Sequence, residues 1–280
     1  SASPVKDKPI HEREDIKMLR DRLEKLQPGK VEVEAEMRDD QIGFEEARRY
    51  LFQAGESGWQ GFRPSLKKIA EAFSTDGRHH KLTLDALHNL WLLDEPKDYY
   101  LSNARNFKRN PLLAHYSLHV LSYAPSEDVA NELSAIKETD KDFASAGEIN
   151  TYYYVLDISD EYAKIESPGM RARFLFPYAG MGIDPLGSDE NSLMSVPDPA
   201  TIWSRTKLLQ ACKENPDVVA KEILDVDPTK ESKEAMRFQR HLIRFVTPDV
   251  RKVVEQELLK RESSATDRAL TWMDEIASGG

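Results

Sequence analysis

The sequence predicts an all-α protein in which helix pairs stack on one another around an irregular central insertion. Three observations carry that reading. Apolar residues recur at three- and four-residue spacing along most of the chain, the period of a helix with one buried face. Helix starts of a single form, a capping side chain followed by proline, occur at Asn110-Pro111, Asp198-Pro199, Asn215-Pro216, Asp227-Pro228 and Thr247-Pro248. The capping oxygen can accept from an orphan N–H of the first turn, where proline has no N–H to leave unsatisfied. Finally, one unit recurs: an apolar helix, a proline, Asp-Val close behind, and a second apolar helix.

The clearest copy is Phe238–Leu259, read as a helix, a tight turn at Thr247-Pro248 and a second helix that opens with Asp249 near its positive end. Looser copies are His119–Leu133 and Leu208–Leu224. Pro216 and Pro248 lie 32 residues apart, within the periods of about 20–50 residues that mark stacked repeats. A helix pair has an apolar face that it cannot bury alone, so pairs must stack.

From the N-terminus, residues 1–10 read as a mobile arm with two prolines. Residues 11–40 hold a charged helix with the apolar stripe Ile16, Leu19, Leu23 and Leu26, stopped by Pro28-Gly29. That stripe suits docking on the next helix or a short seam for a partner. The alternation Val31-Glu-Val-Glu-Ala-Glu-Met37 fits a short strand or an extended connector equally well. Residues 41–166 are the N-terminal helical repeats, with helices expected at Phe44–Gln53, Arg63–Phe73, Leu82–Leu93, Tyr99–Arg109, Leu112–Tyr123, Val129–Lys137 and a long one at Phe143–Glu166. Leu82–Leu93 is apolar almost all round, which predicts an inner layer. Residues 167–197, rich in proline and glycine, are expected to form an insertion loop. Residues 198–277 are the C-terminal helix pairs.

The resemblance with the best residue support is to HEAT/armadillo-type α-solenoid repeat proteins. Their second helix often opens near a proline and an Asp-Val-Arg run, and Thr247-Pro248-Asp249-Val250-Arg251 resembles that pattern. Pro216-Asp217-Val218 lacks the arginine, and Pro125 with Asp128-Val129 is looser still. The resemblance implies a superhelical stack that offers an extended surface to other proteins.

Composition narrows the function. The chain has 280 residues, 40% hydrophobic and 31% charged, with a formal charge of −10. An acidic surface repels phosphate backbones, so neither nucleic acid nor anionic membrane is an expected partner. No apolar run reaches the length of a membrane span, so no membrane insertion is expected. The single cysteine, Cys212, cannot form an internal disulfide or a zinc cluster; on the face of Lys207–Cys212 it reads as a core residue. The expectation is a soluble, cytoplasmic protein; a chain that starts at Ser1 also leaves processed organellar or exported forms open.

The search for chemistry gives no catalytic residue, no cofactor and no metal ligand set. His79-His80 and His88 lack companion cysteines and carboxylates. His115 and His119 are spaced i, i+4 as metal ligands can be, but two ligands do not make a site; they read as a pair facing the next helix. Gly55-Glu-Ser-Gly58 is not a nucleophile elbow, and Gly180-Met-Gly182 is not a phosphate loop. Asp184, Asp189 and Glu190 match no calcium loop.

What remains is recognition. Tyr152, Tyr153, Tyr154, Phe174, Phe176 and Tyr178 cluster in the sequence with Arg171, Arg173 and Met181, residue types enriched at interface cores. The partner-binding residues expected from this cluster are Tyr152, Tyr153, Arg171, Arg173, Phe174, Phe176, Tyr178 and Met181. The predicted function is a non-catalytic scaffold, adaptor or structural subunit that binds a protein or peptide, with a basic partner favoured by the charge. Two alternatives stand beside it: a HEAT-like DNA glycosylase, for which Trp91 and Asp94 would be the pocket, and a bundle that holds a small hydrophobic ligand.

Overall fold

The computed structural model describes residues 9–144, 147–179, 196–226 and 242–260. Those residues are mostly helical, as the sequence predicts. The arm at 1–8, the Asp227-Pro228 start, residues 238–241 of the Thr247 hairpin, residues 180–195 of the expected insertion and the stretch 261–277 lie outside them. The chain divides into two compact units, Ser1–Tyr153 with Met194–Val196, and Tyr154–Leu193 with Pro197–Gly280. The division falls inside a helix rather than at residue 166.

In the first unit, α1 (Glu14–Glu24) buries Ile16, Leu19 and Leu23 and packs against α2 (Phe44–Glu56). Gly29 then takes a φ of 85°, a left-handed conformation that costs glycine no Cβ clash. The alternating stretch contributes β1 (Val31–Glu32), which pairs in parallel with β2 (Ile42–Gly43) through Val31↔Ile42 and Glu32↔Gly43. The strand therefore has a partner just before α2, which the local pattern did not reveal. Glu36 belongs to a short 3-10 turn between them, Glu34–Glu36.

α3 (Arg63–Phe73) places Pro64 in its first turn and buries Leu66, Ile69, Ala70 and Phe73. α4 (Lys81–Leu92) is buried from Leu82 to Leu90 except at Leu84, and packs against α2, α3 and α6 (Pro111–Leu121), the inner position its composition predicts. α5 (Lys97–Arg105) packs on α6 and on α7 (Glu127–Thr139). Asn110 caps α6 by accepting from the Leu113 N–H at 3.2 Å, and its amide donates to Ser74 Oγ at 2.7 Å. Ser126 caps α7.

Where a long helix is expected at Phe143–Glu166, the described elements are α8 (Lys141–Ala144) and α9 (Gly147–Ala163), and residues 145–146 lie outside the described residues. Ile149 and Tyr152 are buried on the first-unit part of α9, whereas Val155 and Ile158 join the core of the second unit.

In the second unit the expected insertion loop opens instead with α10 (Pro168–Ala179), which packs against α11 (Pro199–Glu214) and α12 (Pro216–Asp225). A helix is possible here because Pro168 occupies the first position and Pro177 falls in the last turn, where little remains of the ladder it interrupts. α12 packs in turn on α13 (Pro248–Leu259). Leu175, Phe176, Trp203, Leu208, Cys212, Val219, Ile223, Leu242, Val246 and Val250 form one apolar core. Burial places Cys212 in that core and raises its thiol pKa.

The proline-led helices do not share one phase. Val219, Ala220, Ile223 and Leu224 are buried after Pro216, but Val250 and Val254 after Pro248. Counted from the proline, the inward face is rotated by about one and a half residues, or roughly 150°. Asp198 caps α11 through the Ala200 N–H at 2.9 Å, whereas the Asn215 side chain makes no cap bond.

Candidate partner-binding surface

Most of the buried polar residues among those described lie in the first unit, and most of them have partners. Arg48 donates from Nε to Asp85 Oδ2 at 2.7 Å, both nearly inaccessible. Burial, only partly offset by Arg48, pushes the Asp85 carboxyl up to about 6. His88 Nδ1 meets the Tyr123 hydroxyl at 2.9 Å, and burial, then the nearby His119, pulls His88 down to about 4. Such a histidine stays neutral at physiological pH. His119 packs edge-on against Tyr123. His115 is bonded to Glu148, a contact that lowers the carboxyl pKa. The i, i+4 pair therefore meets different neighbours, and among the described residues no group of three or more His, Cys, Asp or Glu is placed to hold a metal ion.

Trp91 packs edge-on against Tyr123 at 5.1 Å. Asp94, two residues past α4, takes a φ of 60°, and its carbonyl accepts from Arg63 Nη2 at 2.6 Å. A cavity of about 530 Å³ lies over Glu32, Glu36, Arg38, Asp76, Arg78 and His79. It is lined by charge, and Arg78 already forks onto both Glu32 oxygens at 2.6 and 2.9 Å.

The expected binding residues separate into three groups. Tyr152 is fully buried in the first unit; its hydroxyl accepts from the Ser126 N–H at 3.0 Å and donates to the Ser126 carbonyl at 3.1 Å. It is a structural pin at the start of α7, not a docking residue. Tyr153 packs on α7, with its hydroxyl 2.8 Å from Ser134 Oγ and Lys137 over its ring. In the second unit Phe176 is core. Arg173 is held by Glu222 at 2.5 Å and by Asp225 at 3.9 Å. Met181 lies outside the described residues.

The remaining three, Arg171, Phe174 and Tyr178, do come together. Met170, Phe174 and Tyr178 follow at four-residue spacing, which puts them on one stripe of α10. The Phe174 ring is 5.7 Å from Tyr178 and 6.2 Å from Tyr162 of α9. Arg171 lies over the Tyr162 ring at 4.9 Å, and Tyr162 meets buried Trp203 edge-on at 5.6 Å. Tyr154 stands close enough to Tyr178 to raise its phenol pKa, an effect second to burial.

The result is an aromatic ridge of Tyr154, Tyr162, Phe174 and Tyr178, fixed to the core through Trp203. Its open edge is apolar: Tyr154 is 52% exposed and Met170 64%. Arg205 donates from Nε to the Ala179 carbonyl at 3.0 Å and so ties down the end of α10. Rigid aromatics bury much area at low entropic cost, which suits a binding surface.

The expected binding residues leave out Tyr162 and Met170, and leave out Tyr154 although the aromatic cluster includes it. The four-residue spacing of Met170, Phe174 and Tyr178 was the available signal, hidden by the expectation of a loop. No helix among the described residues is long and apolar enough to cross a membrane. Compared with known protein families, with curated proteins and with solved structures, the chain has no match in any of the three.

Proposed function

We propose that the chain is a non-catalytic helical interaction module, a scaffold or adaptor that docks a partner protein on the α9–α10 ridge of its second unit. One observation carries this reading: Tyr154 and Met170 stay exposed beside a ridge of tilted and edge-on aromatics packed on the core. Exposed apolar groups in a contiguous patch mark interaction sites, whereas single ones are ordinary. The packing order of the first unit supports a helical-repeat reading. There α4 contacts the adjacent α3 and also α2 and α6, and α5 contacts both α6 and α7. Stacked pairs make such next and next-but-one contacts.

The test is affinity purification of the tagged chain from its native cells, side by side with a Tyr154→Ala/Tyr178→Ala variant. Central aromatic residues of an interface each contribute about 2 kcal/mol or more, so the pair should remove the bound partner. An unchanged set of partners, with the helical circular dichroism of the variant intact, would overturn the assignment.

A further inference from the structure

The ridge is bordered by carboxylates. Tyr154, Asp157 and Glu161 fall at three- and four-residue spacing and share one face of α9, and all three are exposed, as is Asp160. Glu161 is near enough to Tyr178 to make its phenol hold its proton more tightly, after burial and Tyr154. On the other side Glu214 acts in the same sense on Tyr162. The arginines of the neighbourhood are engaged: Arg171 over Tyr162, Arg173 with Glu222 and Asp225, and Arg205 over Phe245 at 3.7 Å. Lys164 lies past the end of α9. Among the described residues no cation lies over Tyr154, Phe174 or Tyr178.

Aromatic faces beside uncompensated carboxylates are the chemistry that recognises a cation on an apolar stem. We propose that the ridge takes a segment of a partner protein that carries arginine or lysine beside apolar residues. The cations lie against Tyr154 and Tyr178, with Asp157 and Glu161 as counter-charges, and the apolar side chains cover Met170 and Phe174. A cation over an exposed ring is attracted by the ring's negative face, and the carboxylates add partner choice and speed of encounter. The overall charge of −10 steers in the same direction.

This occupant rests on the docking surface proposed above, and the experiment separates the two. The full chain is titrated, by fluorescence anisotropy, into a short labelled peptide of arginines and leucines and into its counterpart with glutamates in place of the arginines. The expected result is binding of the arginine peptide alone. Asp157→Asn/Glu161→Gln should weaken it about fivefold and flatten its salt dependence. Tyr154→Ala/Tyr178→Ala should abolish it, with circular dichroism checking that every variant stays folded. Equal binding of both peptides, lost with the tyrosines, would overturn the charge preference and leave the docking surface standing. Arginine-peptide binding that survives loss of the tyrosines would overturn both, and no binding of either peptide would overturn the occupant.

Discussion

Replacing Arg48 with methionine tests the interior of the first unit most directly. The side chain keeps its length and apolar stem but loses the charge that faces Asp85. Arg48 is 4% exposed and Asp85 1%, and their shorter contact is 2.7 Å. Removing one partner of a buried pair leaves the other charge uncompensated and costs about 3–5 kcal/mol. The cost has a pH signature. Asp85 is raised from 3.8 to about 6 by burial although Arg48 acts to lower it. Its folded value thus exceeds its unfolded one, so its contribution to stability is fully present below the unfolded value. That contribution is lost as pH rises through the folded value, by about 3 kcal/mol in all. Without Arg48 the folded value moves higher, and the loss continues above neutral pH.

The gap in stability between the native chain and Arg48→Met should therefore be small near pH ~5 and grow towards pH ~8. Urea unfolding followed by far-ultraviolet circular dichroism across that range measures it. Adding Asp85→Leu removes the stranded charge and should recover most of the loss at neutral pH. A gap that does not change with pH, or a double variant no more stable than the single one, would refute the reasoning.

Two further substitutions probe the same unit. A Cβ on Gly55 would meet Asn89 Oδ1 at 2.1 Å, and Asn89 is fully buried with its amide donating to the Asp85 carbonyl, so it cannot swing away cheaply. Gly55→Ala should cost about 1–3 kcal/mol in urea unfolding, although alanine is the better helix former; a stabilised variant would show that the contact yields. Asn110→Ala deletes the cap of α6 and the tie to Ser74, and should cost about 1–2 kcal/mol, whereas Asn215→Ala, at a position with no side-chain cap bond, should be close to neutral. Equal costs at the two positions would remove the distinction.

The helices were legible because their signals are local. Arg63–Phe73 was readable to the residue, from Pro64 and the Leu66, Ile69, Ala70, Phe73 stripe. The errors have local causes too. Pro177 and the flanking glycines suggested a loop, but a proline in a last turn is compatible with a helix that ends two residues later. The β1–β2 pair was hidden because parallel pairing joins residues that have no turn between them to announce it.

The binding surface was legible as residue types and not as a surface. Tyr152, Tyr153 and Tyr154 are consecutive, so each points about 100° away from the next around the helix. Composition cannot say which of them is core, which lies on α7 and which remains in the open. Tertiary packing decides it: Tyr152 is drawn in to hold Ser126, Tyr153 reaches Ser134, and Tyr154 is left exposed, as is Met170, beside the half-buried Tyr178. By itself the sequence determined that the chain is helical, where most helices begin, and that charge and aromatics are its material for recognition. Only the tertiary structure decided the phase of each helix, because phase depends on which neighbour arrives to cover a face, and that information is spread over residues distant in the chain.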